Sequence, residues 1–533
     1  MPCRPSASNA APSVSRRNST TRIYPTLARA TLVFAVVGWT SFAYADICRV
    51  TDVGTTLGDG SDWGVQALAL QTALTSPACT ELWVKAGLYK PTTGADQTIS
   101  FGIRPGLTVY GGFNGTETTR DARNPAVNVT ILSGDIDGND IDADNNHIDE
   151  STADIQGANS HRVVMMDGTT AAGTVTASTV LDGFIITAGD YLDSTNGKGA
   201  GLYCNGSGSS HECSPTLGRL GFMGNRASYG GALFNDGVSG TSSPTLDRVT
   251  FAGNLAANFG GAIFNYADSG VSSPVLTNVV FRDNRANAYA GAMYDQGNNG
   301  GESSPVLTDV TFSGNSALNQ GGALLNNSNG GGSSSPTLTN VTFNANVAGS
   351  RAGAIYNASG AESESSPRLV NVTFSGNQAY DGGAIYNFPN AGATNPTLRN
   401  VILWGDSIDP AGQGPEIYNN VSAGGVAEPT MTFSIVEGGD AGSFRSDGST
   451  DTAFSSGIGN LDADPLLGAL GDNGGATPTM VPAAGSAAID TGTNTDCPAT
   501  DQRGVTRPQG IQCDIGAVEV EVDVIFADGF EQG

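Results

Sequence analysis

The densest set of candidate ligands in the chain is the acidic run G-D-I-D-G-N-D-I-D-A-D-N-N-H-I-D-E, which carries Asp135, Asp137, Asp140, Asp142 and Asp144 and, a little further on, Asp149. A hard divalent cation gathers several oxygens around one turn, and carboxylates at near-alternate positions with an interposed glycine supply them. These five aspartates are therefore candidate calcium ligands, and Ca²⁺ is the one cofactor the sequence suggests. The run lacks a bidentate Glu at the twelfth position, where Asn146 falls when Asp135 is counted first, and a solvated acidic loop has the same composition.

A second candidate is a column of rings, Phe234, Phe264, Tyr294, Tyr356 and Tyr386, one residue after the aliphatic of successive G-G-A-type segments and interrupted by Leu325. If the flanking aliphatic and Asn point inward, strand alternation turns these rings outward, as a glycan-stacking platform or as packing of the sheet face. The three histidines, His147, His161 and His211, sit far apart in sequence and accompany no nucleophile motif. Scattered arginines, among them Arg248, Arg282, Arg351 and Arg368, occupy different repeat positions.

The element that positions these residues is a repeat. Pro215, Pro244, Pro274, Pro305, Pro336, Pro367 and Pro396 open successive units of about 30 residues, each with a V-x-F strand, an Asn three residues after the Phe, and a G-G-A turn before a second alternating strand. A fixed period of this length means stacked identical coils. Val279 and Phe281 share one face of a short strand, and Met293 and Asp295 share a face of the next. Three short strands and three turns fill one coil, no helix of useful length is expected, and the fold class is all-β, a right-handed parallel β-helix. Asn225, Asn254, Asn284, Asn315, Asn346 and Asn377, and separately Asn235, Asn265, Asn326, Asn357 and Asn387 with Asp295 once in place of Asn, are expected to stack as amide ladders.

Composition narrows the class. With 533 residues, 74 glycines and a net charge of −27, the chain is a poor partner for nucleic acid, and Lys85, Lys90 and Lys198 are its only lysines. Residues 1–45 read as a secretory signal peptide, with arginines but no acid, the short apolar run Ala30–Trp39, and Ala43-Tyr44-Ala45 before the cut. The apolar run is too short to cross a membrane, so no transmembrane segment is expected in the mature chain. Six cysteines then remain, Cys48, Cys79, Cys204, Cys213, Cys497 and Cys513. In an exported chain they are disulfide candidates, with about 15 connectivities open to them. The N-V-T triplets at Asn340 and Asn371 match a glycosylation pattern but arise from strand alternation.

The F-x-x-N and G-G-A-[I/L] segments, as in F-A-G-N at Phe251 and G-G-A at Gly260, resemble the polymorphic outer-membrane protein repeat, a β-helical module of bacterial surface proteins; two units carry A-G-A, at Ala290 and Ala352. L-W-V-K-A-G-L-Y-K-P at Leu82 resembles the opening coils of pectate-lyase-like β-helices. D-P-L-L-G-A-L-G-D-N-G-G at Asp464, D-Q-R-G at Asp501 and C-D-I-G-A-V-E at Cys513 resemble a choice-of-anchor Q domain. The expected organisation is a signal peptide at 1–45, a cap and opening coils at 46–190, β-helix repeats at 191–433, the choice-of-anchor-like region at 434–520 and a tail at 521–533. The resemblance implies export and surface display.

A carbohydrate enzyme is the natural competitor. Inverting hydrolysis needs an acid and a base with room for water, but the chain has no D-D, G-H-G or R-I-K, and its repeat region has no Lys to serve a lyase as base. The expectation is a secreted or surface-exposed, adhesin-like scaffold that meets a glycan or another surface partner. A polysaccharide lyase or glycoside hydrolase on an extended glycan is the alternative. Asp490, Asp501, Arg503, Arg507 and Asp514 are expected to tie irregular loops together.

Overall fold

The computed structural model describes residues 47–449, 451 and 453–521; the expected signal peptide and the I-F-A-D-G-F-E tail lie outside them. Every strand pairing between coils is parallel, and each coil contributes to three sheets in turn, as the repeat predicts. The first sheet runs in two lanes. One passes through Thr216–Gly218, Thr245–Asp247 and Val275–Thr277, the other through Gly221–Met223, Thr250–Ala252 and Val280–Arg282. The lanes fuse into eight-residue strands at Val306–Ser313, Thr337–Asn344 and Arg368–Ser375. The second sheet has eight short strands, from Asp190–Tyr191 to Ser407–Ile408, and the third has eleven, from Phe101–Gly102 to Ser443–Arg445.

Inward residues form one continuous core. The phenylalanines of F-x-x-N, Phe222, Phe251, Phe281, Phe312, Phe343 and Phe374, stack with centroids 4.6–4.9 Å apart and near-parallel planes, a separation set by the rung spacing of about 4.8 Å. Val279 and Phe281 face this core, as does Met293 from the next strand. A short helix, Leu70–Thr75, buries Leu70, Ala73 and Leu74 at the first coils.

The asparagines form the expected ladders. Asn284 Oδ1 accepts both the backbone N–H and Nδ2 of Asn254, while Asn284 Nδ2 donates back to the Phe251 carbonyl and forward to Asn315 Oδ1. The pattern continues to Asp406, whose Oδ1 accepts from Asn377 N and Nδ2 at 2.6 and 2.8 Å. A serine column, hidden in the sequence behind the S-P signal, runs parallel to it. The Ser273 N–H donates to Ser243 Oγ, Ser304 N–H to Ser273 Oγ and Ser335 N–H to Ser304 Oγ.

The second ladder is split. Asn235 donates to Asn265 and Asn265 to Asp295 at 2.6 Å, but the next link starts afresh at Asn326. Asp295 Oδ2 and Asn326 Oδ1 are both buried without a partner, although their residues are register neighbours. Burial pushes the Asp295 carboxyl up to about 8. The folded chain thus holds a proton that the unfolded chain releases near pH 4. The contribution of this group to stability is full below about pH 4, declines as pH rises toward 8, and is then level. Asp295→Asn supplies the missing donor. It should flatten that slope in melts taken from pH 5 to 8 and add about 1–3 kcal/mol at pH 8.

Beyond the last coils the chain turns back over the outer face of the first sheet. Gln502 Nε2 donates to Thr311 Oγ1, Asn340 Nδ2 to the Thr500 carbonyl, and Asn371 Nδ2 to the Asp514 and Gly516 carbonyls. The amides of Asn340 and Asn371 are thus occupied in holding this segment. Its charged residues tie loops, as expected. Buried Arg507 binds Glu519 Oε2 at 2.9 Å and the Asp514 and Gly516 carbonyls, Arg503 binds Asp501, and Asp514 Oδ1 accepts from the Asp490 N–H. Disulfides join Cys48 to Cys79, Cys204 to Cys213 and Cys497 to Cys513.

Candidate functional site

The acidic run is an excursion from the first sheet, leaving after the strand Thr130–Ser133. It returns to pack residues 149 and 150 against the corner glycines Gly224 and Gly253. A cavity of about 280 Å³ lies inside this excursion, lined by Leu88, Lys90, Ser133, Asp135, Gly138, Asp140, Asp142, His147 and Asp149. Of the five candidate calcium ligands, Asp135, Asp140 and Asp142 reach this cavity, while Asp137 and Asp144 do not line it.

Most of these carboxylates are engaged by the loop itself. Asp135 Oδ1 accepts from the Gly138 and Asn139 N–H groups and its Oδ2 faces Lys90 at 3.4 Å. Asp142 accepts from the Asn146 and His147 N–H groups and pairs with His147 Nδ1 at 3.0 Å. Asp140 accepts from the Gln156 N–H and from Asn159 Nδ2. Asp144 and Asp137 accept side-chain amide bonds from Asn146 and Asn139. Among the described residues no group of three or more His, Cys, Asp or Glu side chains is arranged to hold a metal ion.

Asp149 differs from its neighbours. It is buried, its Oδ2 has no partner, and burial together with the Asp140 charge pushes its carboxyl up to about 8. Burial raises Asp140 as well. Near neutrality the cavity therefore holds a protonated acid beside carboxylates paired with Lys90 and His147. Neither Lys90 nor His147 belongs to a sequence motif, and only the returning loop brings them together at this cavity.

The three histidines do not meet. His147 pairs with Asp142, His161 stacks on Tyr191 at 4.4 Å, and His211 Nδ1 lies 2.6 Å from the Ser207 carbonyl.

The aromatic column requires a correction. Phe234, Phe264, Tyr294, Tyr356 and Tyr386 do lie outside the main core, but they are only 1–6% exposed and cannot offer a stacking platform to a glycan. They form a second apolar cluster with Leu325, covered by Tyr229, Phe259 and Tyr289 from the far side of the G-G-A corner. Phe259 stacks on Tyr294 at 5.1 Å, and the Arg351 guanidinium lies over the Tyr386 ring. Burial pushes the Tyr386 hydroxyl up to about 12. The sheet-packing alternative is the one realised, since rings one rung apart cover each other's faces.

The same corner explains the G-G-A signature. Its first residue has positive φ, +67° at Gly321, and Ala290 and Ala352 adopt it too, at +58° and +57°, with their methyls in the aromatic cluster. At the second position a Cβ on Gly322 would collide with the Gly353 carbonyl oxygen of the next coil, and Gly261, Gly291 and Gly353 face the same obstacle. Alanine therefore occurs at the first position and not at these second ones.

Comparison with known families agrees with this geometry. Residues 248–266, 309–327 and 371–387 match the Chlamydia polymorphic membrane protein (Chlamydia_PMP) repeat, each match running from the first-sheet strand through the Asn corner and the glycine turn into the third sheet. No curated protein matches the chain. The chain is a parallel β-helix built on repeats of the polymorphic membrane protein type.

Proposed function

We propose that the protein is a surface-exposed, adhesin-like scaffold of the bacterial envelope, exported by its N-terminal signal. The observation that carries this reading is the use of the repeat. Its Phe, Asn, Ser, Gly and Tyr positions are all consumed in joining one coil to the next, leaving a rigid rod whose outer loops are free to vary. The repeat type supports a surface or outer-membrane setting, and among the described residues no helix is long and apolar enough to cross a membrane. Glycan cleavage is the second reading, favoured by the cavity that brings Asp140 and Asp149 together, because hydrolysis needs two carboxyl groups at one site.

Antibody labelling of intact expressing cells should detect the protein, and protein purified from culture should release no products from a panel of acidic and neutral polysaccharides. Product release that disappears in Asp149→Asn would replace the scaffold with an enzyme. Labelling only after cell lysis would sink surface display.

A further inference from the structure

A cavity of about 500 Å³ lies on the outer face of the first sheet. It opens between the loop Asn124–Thr130 and the coils that hold Arg219 and Arg248. Its only charged lining residues are Arg123, Arg219 and Arg248, in a chain whose net charge is −27.

Two local departures from the repeat create it. At the corner between the two lanes, other coils place Gly183, Asn278, Asp309, Asn340, Asn371 and Asn400, all with positive φ. These residue types adopt that region most readily. Arg219 and Arg248 sit at the same corner with φ +48° and +55°, a conformation unfavourable for a long side chain and of the kind that persists at functional sites. On either side of Arg219, register places Gly218 opposite Asp247 and Gly221 opposite Thr250, so this coil lacks the outward side chains that fill the face elsewhere. A Cβ on Gly218 would collide with Asp182 Oδ2.

Asp182 is the anchor of the site. It accepts from buried Arg123 Nη2 at 2.6 Å and from Arg219 Nε and Nη2 at 3.0 Å each. Arg248 Nε and Nη2 are held by Asp247 Oδ2. Nη1 of Arg219 and of Arg248 makes no hydrogen bond to a described residue, and the two side chains are 45% and 60% exposed. The opposite wall is apolar, formed by Pro125, Ala126 and Val129. The same face stays uncovered across Thr250 and Val280 until the returning segment closes it at Thr311.

We infer that this groove binds a linear polysaccharide bearing carboxylates. Guanidinium groups fixed on one edge present their remaining donors to a carboxylate, while the apolar wall suits the C–H face of a sugar ring. An uncovered face running across several rungs suits a polymer better than a small anion. The inference rests on the surface-scaffold reading and names the ligand class such a scaffold meets.

The test is calorimetric titration of the full mature chain with oligogalacturonate, with uncharged mannan oligomers and poly-glutamate as the other probes. Arg219→Asn and Arg248→Asn install the residue that other coils carry at this corner, so melting temperatures should hold or rise. Galacturonate affinity should fall by about tenfold or more in each, and Arg285→Ala, an exposed arginine on the second sheet, should leave it unchanged. Equal loss in Arg285→Ala, preference for poly-glutamate, or no galacturonate binding would overturn the inference. With surface labelling intact, those results leave the scaffold reading standing; its own failure is read on the cells.

Discussion

Gly322→Ala is expected to destabilise the β-helix by about 3 kcal/mol or more, whereas Gly321→Ala, one residue earlier, should cost about 1–2 kcal/mol. The two glycines are required for different reasons. Gly321 supplies a positive φ, which Ala290 and Ala352 also reach. Gly322 keeps open the place where the Gly353 carbonyl of the next coil lies. A methyl there meets backbone rather than a flexible side chain, so relief requires the coils to separate, breaking the backbone hydrogen bonds from Gly322 to Ala352 and from Ala323 and Leu324 to Ala354. Denaturant melts of the two variants measure the contrast; equal losses would show that the rungs yield more easily than this contact implies.

Asn315→Leu should cost roughly 4 kcal/mol or more. The side chain is fully buried. Its Oδ1 accepts from Asn284 N and Nδ2, and its Nδ2 donates to the Phe281 carbonyl and Asn346 Oδ1. Leucine leaves two donors and two acceptors short of a partner in a dry corner, each at a cost of about 1–3 kcal/mol less what relaxation recovers. Asn315→Asp keeps the acceptor and loses the donor. It should fall between the wild type and Leu at low pH and approach Leu as its carboxyl ionises. An unchanged melting curve for Asn315→Leu would remove the ladder from the account of stability.

The fold was legible because each coil repeats the same turn chemistry. Phe281, Asn284, the glycine pair and the prolines recur at a fixed step, and one unit read correctly is nearly all units read correctly. The site was less legible. Strand alternation correctly placed Tyr294 off the main core, but Phe259 and Tyr289, which cover that column, come from a different strand across the corner, and no alternation rule reaches them. The aspartates from 135 to 144 have the composition of a cation loop, yet sequence does not distinguish a carboxylate facing a metal from one capping a backbone N–H, as Asp135 and Asp142 do. Arg219 and Arg248 did carry a signal. They lie one repeat step apart, as Pro215 and Pro244 do, a relation that shows between neighbouring units but not across the whole repeat, where Arg282, Arg351 and Arg368 fall at other positions.

The amide ladders have a direction. Each Asn gives its Nδ2 proton to the unit that follows, and the runs terminate on Asp295, Asp406 and Asp451, which only accept when ionised. A gene that gains or loses one whole unit preserves this polarity at the new junction, whereas an indel of any other length within the strands and corners, rather than in the outer loops, puts the phenylalanine, asparagine, serine and glycine columns out of phase together. Length is therefore inherited in quanta. The uncovered face between the loop at 124–130 and Thr311 can widen or narrow across generations only in steps of about 4.8 Å, a ruler on which the reach of the groove is set by counting coils.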